Sequence, residues 1–147
     1  MPYQFYRLTK VELHKSNYVS GFTVTYRRPD DAYFAGWPEE LTHTFGSADA
    51  TEKSASLDFT EDLDSMTICV DSNARAEVHR DFEGFLFLPL GQTRSVPLAR
   101  SCPTAGRTSF DLVRKRLIGF RVVESGYTAG RRRISAICPI IDEIDCA

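Results

Sequence analysis

Val19-Ser20-Gly21-Phe22-Thr23-Val24-Thr25-Tyr26 is the stretch that decides the fold. Phe22, Val24 and Tyr26 alternate with Gly21, Thr23 and Thr25, the period of a strand with one face in a core. The same alternation recurs further along the chain, in Met66, Ile68 and Val70, in Ile118, Phe120 and Val122, and in Ile134, Ala136, Cys138 and Ile140. Phe85-Leu86-Phe87-Leu88 reads as a strand buried on both faces, stopped by Pro89 and a Gly91-Gln92 turn. Weaker strands are expected from Val11 to Leu13, Leu41 to Phe45, Leu57 to Phe59 and Val96 to Leu98. Only Phe110 to Arg116 competes for a helix, and no capped 3.6-residue apolar stripe occurs anywhere. Nine or ten short strands make the chain all-β.

A length of 147 residues suits one domain, spanning 1–147 with a core from about residue 5 to 141 and a C-terminal tail at 142–147. No apolar run approaches the roughly 20 residues that cross a bilayer. The N-terminus carries no classical secretion signal, so cytoplasmic residence is the expectation, with a trimmed precursor or a non-classical route as the other options. Cys69, Cys102, Cys138 and Cys146 show no metal-ligand spacing with each other or with His14, His43 and His79, so they are expected as free thiols.

The net charge of -2 is unevenly spread. Residues 1–29 carry +4, 30–83 carry -11, 84–133 carry +8 and 134–147 carry -3. Such segments either neutralise one another across the surface or present a basic face to an anionic partner. Fourteen of the 18 bases are arginine, the side chain suited to bidentate contact with carboxylate, sulfate or phosphate.

An internal similarity narrows the class. Val19-Ser20-Gly21-Phe22-Thr23-Val24, Leu63-Asp64-Ser65-Met66-Thr67-Ile68 and Ile134-Ser135-Ala136-Ile137-Cys138-Pro139 share one plan: apolar, Ser or Asp, small, then an apolar strand. Each follows a strand and a polar turn, so three copies of a hairpin are expected in a pseudo-threefold domain.

The stretch from Leu8 to Tyr26 resembles the opening of a jacalin-related lectin domain, in which a Tyr-Val-Asp-Gly-Ile-x-Val-x-Tyr pattern recurs. Leu63 to Val70 resembles that family's central strand. Ile118-Gly119-Phe120-Arg121, Ser125-Gly126 and Ile134-Ser135-Ala136-Ile137 resemble its C-terminal signature. The resemblance implies a β-prism I of three four-stranded Greek-key sheets and a lectin that binds sugar without a metal or other cofactor. It also departs from the family. Ser135 and Ser20 stand where the family has an Asp, while Asp64 keeps the acid; the Gly-rich N-terminal loop is missing. A serine hydroxyl lacks the charge and the second oxygen of a carboxylate.

What fills the C-terminal turn is Ser125-Gly126-Tyr127-Thr128-Ala129-Gly130-Arg131-Arg132-Arg133. Gly126 exposes backbone, Tyr127 can stack on a sugar ring, Thr128 and Ser135 offer hydroxyls, and Arg131, Arg132 and Arg133 suit an anionic glycan or phosphorylated head group. The competing reading is a solvated loop that neutralises the acidic segment. A second candidate is Glu61-Asp62-Leu63-Asp64, where Asp62 and Asp64 can accept hydrogen bonds from a neutral sugar, against the plainer reading of an acidic turn in water.

The alternative function is a structural or protein-interaction module that has lost sugar binding, with Tyr33-Phe34-Ala35-Gly36-Trp37 as its contact loop or merely as packing across one end of the domain. Self-association is left open. Enzyme chemistry is not expected: Gly-x-Ser-x-Gly and phosphate-binding glycine loops are absent, and His79-Arg80-Asp81 stands without other kinase motifs. The carboxylate pairs Asp30-Asp31 and Glu39-Glu40 lack any sign of a cleft. Phe110, Arg114, Lys115, Arg116, Phe120 and Arg121 make only a weak single-strand nucleic-acid pattern.

Overall fold

The computed structural model describes residues 5–15, 19–47, 56–58, 62–71, 81–127 and 131–143. These form ten strands: β1 (Arg7–Lys15), β2 (Val19–Arg27), β3 (Glu40–Gly46), β4 (Ser56–Asp58), β5 (Leu63–Asp71), β6 (Asp81–Pro89), β7 (Val96–Ala99), β8 (Arg107–Asp111), β9 (Lys115–Tyr127) and β10 (Arg131–Glu143). The chain is all-β with antiparallel sheets, and no described helix is long and apolar enough to cross a membrane. Leu57 falls in β4, whereas Phe59, His79, Arg80, Thr128, Cys146 and the tail from 144 lie outside the described residues. β10 runs to Glu143, past the expected start of the tail.

Strand order is β3-β2-β1-β4 in the first sheet and β7-β6-β5-β8 in the second. Both are Greek keys, with the fourth strand returning beside the first. The third sheet consists, among the described residues, of the β9–β10 hairpin.

The central pairs β1–β2, β5–β6 and β9–β10 share one register. Each strand of each pair carries a β-bulge near its own start: Thr9 and Ser20, Asp64 and Glu83, Ile118 and Ser135. In every pair five residues separate one bulge from the point opposite the other: 21–25 on β2, 84–88 on β6 and 136–140 on β10. A bulge adds one unpaired residue and exchanges the faces of everything beyond it. The hairpin is therefore repeated three times, as expected, but in a different alignment. Ser20 and Ser135 correspond to Glu83 in Phe82-Glu83-Gly84-Phe85-Leu86-Phe87, and Asp64 corresponds to Thr9 and Ile118 at the opposite strand start.

The bulges also correct two face assignments. The bulge at Ile118 leaves that side chain exposed and turns Leu117 and Phe120 inward. Past the bulge at Ser135, Ala136, Cys138 and Ile140 face solvent, while Ile134 and Pro139 are buried and Ile137 is half-buried. The segment from Phe110 to Arg116 is not helical: β8 ends at Asp111, whose Oδ1 accepts the Val113 N–H at 2.9 Å, and Arg114 at φ 57° turns the chain into β9.

All three sheets share one core. Phe22 on β2, Phe85 on β6 and Phe120 on β9 form a triangle with every pair of ring centroids 5.2 Å apart. Glycines sit beside two bulges because neighbouring backbone leaves no room for a Cβ. At Gly21 it would collide with the Phe45 carbonyl oxygen, and at Gly84, where φ is 128°, with that of Leu98.

The expectation of four free thiols is overturned at Cys69 and Cys102, which form a disulfide with their Cα atoms 4.9 Å apart. Cys69 is fully buried in the central strand β5, and the chain leaving β7 returns across it at Cys102 before β8 begins. Cys138 is a free, exposed thiol.

Candidate functional site

Ser20, Glu83 and Ser135 mark one end of the molecule. The Gly46 N–H, beside the Ser20 bulge, donates to Glu124 Oε1 at 2.7 Å, and Glu124 pairs with Ile134. Val70 and Phe82 at the Glu83 bulge line one cleft with Ile134 and Ser135.

The three equivalent bulge residues have different environments. Ser20 is buried, and its hydroxyl donates to the His14 carbonyl oxygen at 3.2 Å. Glu83 is 1% exposed; its carboxylate accepts two bonds from Arg100, from Nε at 2.7 Å and from Nη2 at 3.0 Å. Such a bidentate pair occupies both carboxylate oxygens in the geometry that a sugar's vicinal hydroxyls would need. Ser135 alone of the three is exposed. Its hydroxyl donates to the Val123 carbonyl oxygen at 3.0 Å, which leaves its lone pairs facing solvent.

The β9–β10 hairpin carries the other expected residues into Ser135's neighbourhood. Arg131, Arg132 and Arg133 open β10 and pair through the backbone with Tyr127, Gly126 and Ser125 at the end of β9. Between Ser135 and the second sheet runs an apolar cleft of about 230 Å³, lined by Ile68, Val70, Phe110, Ile134 and Ile137 among others.

Asp62 and Asp64 are not part of this neighbourhood. They lie at the far end, where β1 and β9 begin: Asp62 Oδ1 is 3.7 Å from Arg7 Nη2, and Asp64 Oδ2 accepts the Gly91 N–H at 3.2 Å. The two expected sugar contacts are thus separated by the length of the strands. Among the described residues no group of three His, Cys, Asp or Glu could hold a metal ion.

The aromatic loop packs on its own molecule. Trp37 stacks on Tyr6 with ring centroids 6.0 Å apart, and Tyr6 Oη donates to the Pro38 carbonyl oxygen at 2.8 Å. Phe34 and Trp37 are half-buried, and Tyr33, whose ring meets Phe34 edge-on with centroids 5.1 Å apart, is 79% exposed.

Glu83 was overlooked in the sequence, although Phe82-Glu83-Gly84-Phe85 has the apolar-acid-small-apolar plan. The apolar run that follows disguised it as an ordinary buried strand. No protein-family model matches the chain, and no curated protein matches it.

Proposed function

We propose that this chain is a β-prism protein of the jacalin-like kind that binds a glycan at the end of the β9–β10 hairpin. The observation that carries the reading is the exposure of Ser135 where its equivalents Ser20 and Glu83 are enclosed. Two Greek keys of equal order and a twice-bulged hairpin present three times support the prism. At this position the ligand meets a neutral hydroxyl instead of a carboxylate, with three arginines just ahead of it on the same strand, at the start of β10. That combination favours an anionic glycan over plain mannose or galactose. The chemistry is binding alone, with no cofactor.

The test is retention on a heparin column, with a glycan array naming the sugar. Arg131→Ala/Arg132→Ala/Arg133→Ala is expected to elute at clearly lower salt than the native chain, because each phosphate- or sulfate-paired cation adds to the salt dependence. Unchanged retention would sink the anionic reading. The second reading, a protein-interaction module, rests on Tyr33 at the tip of the aromatic loop. An array without any binder and a stable pull-down partner sensitive to Tyr33→Ala would favour it.

The disulfide bears on location. A Cys69–Cys102 bond persists best in an oxidising compartment, so we place the working protein there, reached from a precursor or by a non-classical route, and not in the cytoplasm as the N-terminus suggested.

A further inference from the structure

The opposite end of the molecule carries a second convergence of equivalent residues. Thr9, Asp64 and Ile118 are the bulges there, and each is preceded by a leucine: Leu8, Leu63 and Leu117. Before those leucines stand Arg7, Asp62 and Arg116. All six residues line one small cavity of about 30 Å³ where the three sheets meet. The leucines are its floor, with Leu8 and Leu117 buried and Leu112 beneath them at 1% exposure. Arg7, Asp62 and Arg116 form the rim, and Lys115 adds a third cation to the wall.

We propose that this three-sided pocket binds a tetrahedral oxyanion, the sulfate or phosphate group of an ester or the free ion. The proposal is independent of the sugar reading at the β9–β10 end. Three cations against one carboxylate leave the lining with a charge of +2. The acids present do not saturate these cations. Arg7 to Asp62 is 3.7 Å and Arg116 to Asp142 is 3.9 Å, long contacts between side chains that are each 45% or more exposed. Exposed ion pairs of this kind contribute about 0–1 kcal/mol, so an incoming dianion competes with them readily.

The apolar floor strengthens the attraction by keeping water and its dielectric screening from one side. The shape also fits. An entering tetrahedral group has oxygens for the guanidinium forks of Arg7 and Arg116 and for the Lys115 ammonium, the three cations of the lining. The cavity is small, about 30 Å³, and open on one side, so a charged substituent enters it from solvent while the group that carries it stays outside. Asp62 is the unfavourable member, since its charge opposes the ligand.

The experiment is a backbone amide NMR titration of the full chain with inorganic sulfate and with inorganic phosphate, at ionic strength held constant with chloride. Shifts are expected at Arg7, Asp62, Leu63, Arg116 and Leu117. Arg7→Ala/Arg116→Ala should weaken binding by about tenfold or more, Asp62→Asn should tighten it by about threefold to fivefold, and Arg131→Ala/Arg132→Ala/Arg133→Ala should leave it unchanged. Because Arg7 and Arg116 are exposed, the double variant retains its fold, which its amide spectrum also reports. Glucose 6-sulfate and glucose 6-phosphate, titrated alongside, tell the sulfate ester from the phosphomonoester, and binding of either, or of the inorganic ions alone, supports the pocket. Shifts no larger than those from chloride would overturn it, as would loss of binding in the loop variant but not in Arg7→Ala/Arg116→Ala.

Discussion

A serine at a β-bulge has a different value in each of the two hairpin copies that carry one, and its surroundings decide which. Ser20 has its hydroxyl against a backbone carbonyl in a buried site, where a carboxylate would meet that acceptor and lose its hydration. Ser135 presents the same group to water. Ser20→Asp should therefore cost about 3 kcal/mol or more of unfolding free energy, while Ser135→Asp should change it by about 1 kcal/mol or less. Urea unfolding of both variants checks this, and equal losses would contradict the assignment of one closed and one open bulge. Glu83 shows how an acid is accommodated at the enclosed position, through two hydrogen bonds from Arg100. Sequence pattern shows that Ser20, Glu83 and Ser135 each follow an apolar residue. It carries no information on whether a partner such as Arg100, 17 residues away from Glu83, folds back over the site.

At the scale of elements, strand identity was legible everywhere but at β8, whose end overlaps the one helix candidate, and facing was only partly so. Alternation placed Phe22, Val24 and Tyr26 inside, and all three are buried. The same rule misassigned Ile118, Ala136, Cys138 and Ile140, because a bulge shifts the alternation by one residue and is visible only once two strands are paired. The disulfide is likewise a property of how elements meet, since β5 and the chain after β7 are brought together by the Greek key. It closes a loop of 33 residues, for which restriction of the unfolded chain contributes about 3–4 kcal/mol. Cys102→Ser should lower the urea midpoint accordingly, with the m-value little changed. An unaltered midpoint would show that the bond does not form in the protein in solution.

At the scale of the whole molecule, the described buried residues of all three sheets join one hydrophobic cluster with an aromatic centre. Phe120→Ala removes one corner of the Phe22–Phe85–Phe120 triangle and should cost about 3–5 kcal/mol. It should leave a single cooperative transition when unfolding is followed both by far-ultraviolet circular dichroism and by Trp37 fluorescence, since Trp37 reports on the first sheet and Phe120 belongs to the third. Separate transitions would mean that the sheets fold as independent units. The same threefold arrangement sets the two ends apart. One end gathers Ser20, Glu83 and Ser135, and the other gathers Arg7, Asp62 and Arg116 around a leucine floor. Residues 1–29, 30–83 and 84–133 each supply rim residues to that second end, which is how segments of opposite net charge come to adjoin.

By itself the sequence determined an all-β chain, the approximate place of every strand except β8 and the inward face of the opening stretch, because alternation of apolar side chains is a local property that burial on one face imposes directly. Only the tertiary structure decided which hairpin positions are equivalent, which bulge is open to solvent, that Cys69 meets Cys102 and that three strand starts close a charged pocket. Each of these depends on register and on contacts between residues far apart in the chain, and the interaction that settles them exists only after the sheets have packed.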